Sequence, residues 1–481
     1  MKRKITFSWR EWVALAASLA LAVLFVLVCR VTRIVDTYFT PGVSAAIFGL
    51  GLLAVGDWYL GRGARRDVVA ILLMAASALS ALSCAIFSSV GLGLLNIAAC
   101  WLTGAMGLMR MAGKDRFGLD RWQVVPNTIG QFFKSLFVNF DKPFRALGSS
   151  GGKNKGRVIG VLIGIAVALP LLALVIVLLS SADAVFGGIF ASIGEWLEQL
   201  DALQTVWDVF RAVTYMLMIF SALWYLAFPR PKVTPEEKTR ANTQSAPFVI
   251  VLILLDIVYA VFVFIQIAFL FGGRETARMQ GGFAEYARTG FFQLVAVALI
   301  NAAAVLVTSV FMRRDKGGKA AVWASVLLTA LTLVILVSAV WRMSLYISEY
   351  GLSMLRLGTL VAMALIAAGL ALATFKLFRP SLKFFPVFFA VCLAAWIGFN
   401  YANPARFVAD YNVRAYLGGR AETVDVEYLQ ELGPEAVAPL RLLEASSPEH
   451  AGEARRAAEA VIEKTKEADW YEWMLFFSHA K

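Results

Sequence analysis

Apolar runs of 17 to 26 residues recur along the whole of this 481-residue chain. Each is long enough to cross a hydrocarbon core of roughly 30 Å at about 1.5 Å per helical residue. Lipid offers backbone N–H and C=O groups no hydrogen-bonding partner, so such runs must close their hydrogen bonds internally, as helices. The spans predicted are 12–29, 39–60, 68–87, 88–109, 158–180, 212–229, 247–272, 291–312, 320–341, 357–378 and 385–401. Composition agrees: 59% of residues are hydrophobic and 16% charged, against about 45–50% and 25% in soluble domains. The fold class expected is an all-α, polytopic integral membrane helix bundle of about eleven transmembrane helices. A small helical tail completes it.

Charge orients the spans. Alternating the connections across a membrane puts 28 of the 45 Lys and Arg residues on the side of the N-terminus. Positive-inside bias then makes that side the cytoplasm of a cell (plasma) membrane protein, with the C-terminus extracytoplasmic. The first span follows Lys2, Arg3, Lys4 and Arg10 and has no small-x-small cleavage site after it, so it reads as an uncleaved anchor.

The net charge of +12 does not indicate a nucleic-acid partner, because the positive charge is distributed over the cytoplasmic connections between spans as the positive-inside rule requires. All four cysteines (Cys29, Cys84, Cys100 and Cys392) fall in spans, at no metal-motif spacing. The two histidines, His450 and His479, lie in the tail. No metal site and no cofactor is expected, and the lipid bilayer is the one certain partner. Gly148-Ser-Ser-Gly-Gly-Lys-Asn-Lys155 imitates a phosphate loop but has Asn154 where Ser or Thr would bind magnesium. It reads as a flexible basic linker.

Two domains are expected: the membrane bundle over 1–401 and the tail over 402–481. Within the bundle, the long cytoplasmic loop 110–157 holds Phe133, Leu136, Phe137 and Phe140 at i, i+3, i+4 and i+7. That spacing predicts an amphipathic helix in the inner-leaflet interface. Residues 181–210 predict a second amphipathic helix on the outer surface, with Trp196, Leu197, Leu200, Leu203 and Trp207 on one face. The tail is acidic, with nine Lys or Arg against fourteen Asp or Glu. Its helical runs at 424–432 and 451–462 are separated by the Gly433-Pro434 break. Eighty residues are marginal for an independent core, so the tail should lean on the membrane bundle.

Several motifs occur in order: Ser181-Ala182-Asp183, Tyr259-x-x-Phe262-x-x-x-Gln266, and Tyr286-Ala287-Arg288-Thr-Gly290-Phe291-Phe292. They continue with Tyr346-x-x-x-Tyr350-Gly351-Leu352-x-x-x-Arg356, Asp410-Tyr411-Asn412, Asp425-Val-Glu-Tyr428-Leu429 and Asp469-Trp470-x-x-Trp473. Together they resemble the bacterial domain-of-unknown-function family 4173, a relative of family 4153. The resemblance implies a multi-pass membrane protein and carries no activity with it.

Two groups of polar residues need a reason to exist. Asp256 lies near mid-membrane, about 13 Å into its span at about 1.5 Å per residue. A carboxylate there costs several kcal/mol unless it is paired, protonated or wet. Tyr259 and Gln266 lie near its face, with apolar Val263 between them and Asp256. Gln293, Asn301 and Thr308 form a similar arc on the next span. Either the two stripes line an ion or substrate path, or Asp256 bonds Asn301 or Tyr259 to hold helices together. The second group is Arg274, Glu285 and Arg288 with Arg342, Glu349 and Arg356, the last three at seven-residue spacing on one helical face. It suits either an anionic lipid or envelope polymer or an internal ion-pair network. Asp57, next to Trp58 and Tyr59, reads as an ordinary interfacial carboxylate.

No catalytic constellation emerges from these residues. Three function classes follow: a sensory, scaffold or envelope-associated membrane protein without catalysis, for which an envelope protein would be the partner; a transporter or channel around Asp256 and Asn301; and an enzyme on a lipid-linked substrate at the outer surface. Oligomeric state is open.

Overall fold

The computed structural model describes residues 7–31, 42–114, 123–149, 201–227, 244–270, 291–312 and 317–467. Within them every regular element is helical. The helices are α1 (Trp9–Val31), α2 (Gly42–Leu60), α3 (Val68–Ile86), α4 (Val90–Met111), α5 (Val124–Phe137), α6 (Asp141–Ser149), α7 (Asp201–Ala227) and α8 (Ser245–Leu270). They continue as α9 (Phe291–Phe311), α10 (Gly318–Tyr350), α11 (Met354–Phe378), α12 (Phe384–Tyr401), α13 (Pro404–Leu417), α14 (Val426–Glu431), α15 (Val437–Ser446) and α16 (Ala451–Glu467). Among the described residues, ten helices are long and apolar enough to cross a membrane. They coincide with ten of the eleven predicted spans; the other, 158–180, lies outside the described residues.

Two groups of helices form the bundle. In the first, α1 packs on α2 and α7, and α2, α3 and α4 pack on one another. Small residues allow the close approach that membrane helices depend on. A Cβ on Gly104 would sit 2.8 Å from Ser77 Oγ and 2.9 Å from Leu53 Cδ2, and one on Gly49 3.1 Å from Ala81 Cβ. At one end Asp67 caps α3, accepting from Ala70 N at 2.9 Å, and takes Arg110 in a two-point ion pair at 2.8 and 2.9 Å. That hydrogen-bonded guanidinium holds the Asp67 carboxyl below the usual carboxylate range. Asp57 makes an exposed pair with Arg66 at 2.8 Å, in keeping with an interfacial position.

The second group is α8, α9, α10 and α11, with α10 packed against each of the other three. Helix α12 joins the groups. Its Phe385 and Phe389 pack against Leu73, Met106 and Val124. Asn96 donates to Asn400 Oδ1 at 2.7 Å, and the Tyr401 hydroxyl donates to Leu79 O at 3.0 Å.

Two predicted boundaries are corrected. Of the amphipathic outer helix predicted over 181–210, residues 181–200 lie outside the described residues; from Asp201 onward the segment is not separate from the next span but forms the first turns of α7, a continuous 27-residue helix. There Asp208 pairs with Arg211, three residues on along the same helix face, at 2.9 Å. Helix α10 runs 33 residues, beyond the predicted 341, because nothing in 342–350 stops a helix before Gly351.

The helix predicted in the 110–157 loop exists as α5, but its polar side faces inward. Thr128, Gln131 and Ser135 are buried, while Ile129, Phe133, Phe137 and Val138 are exposed. Ser221 of α7 donates to Ser135 O at 2.6 Å, and the Tyr225 hydroxyl donates to Gln131 Oε1 at 3.2 Å. A polar face buried against another helix and an apolar one turned outward suit hydrocarbon rather than water.

Candidate functional site

Asp256 is buried at 5% exposure on the side of α8 that also carries Leu252 and Val263. That side meets α10. Its Oδ1 has no hydrogen-bond partner. Tyr259 is half-buried and packs on the same core. Gln266 is on the last turns of α8, its side chain outside the described residues.

On α9, Asn301 and Thr308 are buried, but Gln293 is exposed. Asn301 donates to Thr332 of α10 at 2.9 Å, not to Asp256, and its own Oδ1 is left unpartnered. Thr332 belongs to a seam on α10 with Ser325 and Thr329; Thr329 reaches Thr374 of α11 at 2.6 Å, and the buried Ser325 hydroxyl has no partner. Helix α10 therefore takes contacts from both α8 and α9. The structure brings Asn301 to Thr332 and leaves three orphaned oxygens, on Asp256, Asn301 and Ser325, within one helix group.

The seven-residue face of Arg342, Glu349 and Arg356 does not form. Helix α10 ends at Tyr350, Gly351 turns the chain at φ 72°, and α11 starts at Met354, so Arg356 belongs to a different helix. Glycine alone takes that backbone region without strain. Arg356 instead caps the helix it follows, donating to Tyr350 O at 2.8 Å and to Gly351 O. A cation there meets the carbonyls a helix C-terminus leaves unpaired. The guanidinium also lies 4.3 Å over the Tyr346 ring. Glu349 is exposed. Arg274, Glu285 and Arg288 lie outside the described residues.

What sequence reasoning missed is the way the tail is held. Asn412 of α13 grips the α10–α11 turn with both amide atoms: Leu352 N donates to its Oδ1 at 2.7 Å, and its Nδ2 donates to Leu352 O at 2.8 Å. Tyr428 of α14 accepts from Met354 N at 2.9 Å, satisfying a first-turn donor of α11. Glu435, 2% exposed, reaches the α3–α4 connection, where Ser88 N donates to it at 2.7 Å and the Ser88 hydroxyl donates to its other oxygen. A Cβ on Gly433, at φ 80°, would lie 2.9 Å from Ser88 Oγ, so glycine lets the tail come this close. Burial pushes the Glu435 carboxyl upward; the Ser88 hydrogen bonds oppose it. The apolar core beneath is continuous: Val408, Val413, Leu429 and Leu440 of the tail pack in one cluster with Ile347 and Leu352. Asn412 and Tyr428 stood in the quoted motifs, but nothing in their spacing named the turn they hold.

No curated protein and no solved structure matches the chain. Residues 68–443, more than three quarters of its length, match DUF4153, described as a domain of unknown function, a stretch that takes in α3, the whole of α10 and α11, and the tail as far as Leu443. The chain belongs to that family.

Proposed function

We propose that this multi-pass membrane protein is a non-catalytic sensor or scaffold whose extracytoplasmic tail, residues 402–481, is coupled mechanically to the membrane bundle, residues 1–401. One observation carries the reading. Glu435, Asn412 and Tyr428 grip the ends of two separate helix pairs, α3–α4 and α10–α11. A ligand or envelope partner that shifts the tail therefore pulls on both helix groups at once. Within the family, the Tyr286-Ala287-Arg288-Thr-Gly290-Phe291-Phe292 run supports a place with family 4173.

Hydrogen exchange on the full chain in lipid discs tests the coupling. Glu435→Ala should free the tail at Ser88, and exchange should rise in the first turns of α4 and the last of α3 as well as in the tail. Faster exchange confined to the tail would sink the coupling reading. A cysteine placed at exposed Arg420 should react with an impermeant thiol reagent added from outside intact cells; reaction only after lysis would reverse the orientation.

The same contact carries a pH dependence. Burial raises the Glu435 carboxyl above its free value, so docking favours the protonated form: its contribution is full below the ordinary carboxylate range and is lost as pH rises through the docked value. Proteolytic release of the tail should be slower at pH 5 than at pH 8, and Glu435→Gln should flatten the difference. A wild-type rate that falls with rising pH would contradict this.

A second reading, transport of an ion past Asp256 and Asn301, is favoured by the unpartnered oxygens on α8, α9 and α10. A single cysteine at position 256 that reacts with a membrane-impermeant reagent would establish water at that depth. No reaction in a folded protein would leave Asp256 as a packing residue.

A further inference from the structure

Helix α12 meets α3 and α4 through a small polar joint at the end from which the tail departs. Asn96 of α4 donates to Asn400 Oδ1 at 2.7 Å, and Asn400 Nδ2 donates to Trp396 O at 2.8 Å. Beside them the Tyr401 hydroxyl donates to Leu79 O of α3 at 3.0 Å. The register of α3 on α4 brings Ser80 to the same level. Ser77 donates to Cys100 O at 2.7 Å and the Cys84 thiol reaches Gly93 O at 3.9 Å, so in this antiparallel pair Ser80 stands opposite Asn96 and Ile97. Trp396 lies one turn from Asn400 on the same face of α12. Phe389, further along that face, packs on the cluster of Leu73 and Met106, so the face stays turned toward α3 and α4. Asn96, Asn400 and Ser80 are all buried. Three buried atoms of the joint have no protein partner: Asn96 Oδ1, Trp396 Nε1 and Ser80 Oγ. Lipid cannot satisfy them.

We infer that this joint is a binding site for one water molecule, which accepts from Trp396 Nε1, donates to Asn96 Oδ1 and takes Ser80 Oγ as its third partner. Chemistry and size select that occupant. The amide oxygen accepts only, the indole N–H donates only, and the hydroxyl does either. A molecule that completes all three must therefore both donate and accept. None of the three groups carries a charge, so nothing in the set draws an ion. Trp396 and Asn400 are about 6 Å apart along the helix at about 1.5 Å per residue. That is the span of two hydrogen bonds of about 2.9 Å laid end to end, which leaves room for a single oxygen between the indole and the amides. Two to four polar partners, most often three, are what a buried water has in a protein interior. The water ties α12 to α3 and α4 a second time, just before the tail begins at α13.

Proton NMR on the full chain tests the site, with nitrogen-15 tryptophan and deuterated lipid discs. The Trp396 indole signal, assigned by its loss in Trp396→Phe, should show a cross-peak to water. Its proton should nevertheless exchange for deuterium severalfold more slowly than the indole of Trp9, which is exposed. Asn96→Leu removes the acceptor and should erase the cross-peak. Ser80→Ala should keep it, because two partners remain and the nearest hydroxyl proton is gone. No water cross-peak at Trp396 in the wild-type protein would overturn the site, as would exchange as fast as that of Trp9, which means bulk solvent rather than a held molecule. A cross-peak that survives Asn96→Leu, or one lost in Ser80→Ala, would also overturn it, the latter by assigning the signal to the serine hydroxyl. If Asn96→Leu does not fold, the wild-type and Ser80→Ala spectra decide.

Discussion

Asn412→Ala is expected to loosen the tail from the membrane bundle and to cost about 2–6 kcal/mol of stability. Two buried main-chain groups of Leu352 lose their partners together, and each unsatisfied group costs about 1–3 kcal/mol. Leu352 is 4% exposed, so water does not replace the lost bonds without opening the turn. Substituting Asp is milder for the donor, since an oxygen still accepts from Leu352 N, but it places a second acceptor against Leu352 O. The effect should be read locally as well as globally. Hydrogen exchange at 352–354 should accelerate along with that of α13, and the thermal midpoint in detergent should fall. Unchanged protection at 352–354 in the Ala protein would mean that the apolar cluster around Val408 and Leu440 holds the tail unaided.

Asp256→Leu is expected to raise stability, by about 1–3 kcal/mol, the cost of a buried polar group without a hydrogen bond. Leucine is close to Asp in width and extends the apolar side formed by Leu252 and Val263. Asp256→Asn should leave stability nearly unchanged, because it exchanges one unpartnered polar group for another. The pair of substitutions separates the two roles of this residue. If Asp256 is a fault in packing, Leu stabilises and nothing else changes. If Asp256 lies on a path, a bound water or cation supplies the missing partner, and Leu should lower stability and abolish flux. Denaturant titration in micelles gives the first quantity, and flux into vesicles the second.

The membrane class and the ten described spans were legible because they depend on a local property. An apolar run of the right length must be a helix in lipid, whatever its neighbours do. Two of the tail's helices, α14 and α16, were legible from their own runs, and Gly433-Pro434 does end α14, with Gly433 at φ 80°. The reading failed where a periodicity was continued past a glycine. Arg342, Glu349 and Arg356 share a spacing, but Gly351 places the last on another helix, where it closes the end of α10. The amphipathic helix α5 was legible from its spacing, with Phe133 and Phe137 exposed, but the packing of its other face was not. The pattern does not say whether the polar face meets water or the Ser221 and Tyr225 side chains of α7.

The candidate polar stripes divide in the same way. Burial of Asp256 and Asn301 followed from their positions in apolar runs. Their partners did not, because the helix between α8 and α9 in space is α10, which comes later in the chain. The sequence by itself determined that the chain is helical and polytopic, because hydrogen-bond closure in lipid is a condition each segment meets alone. Only the tertiary structure decided that Glu435 meets Ser88, 347 residues away, and that Asn412 holds Leu352. Those contacts depend on which helix ends come together, and no pattern within a single segment records that.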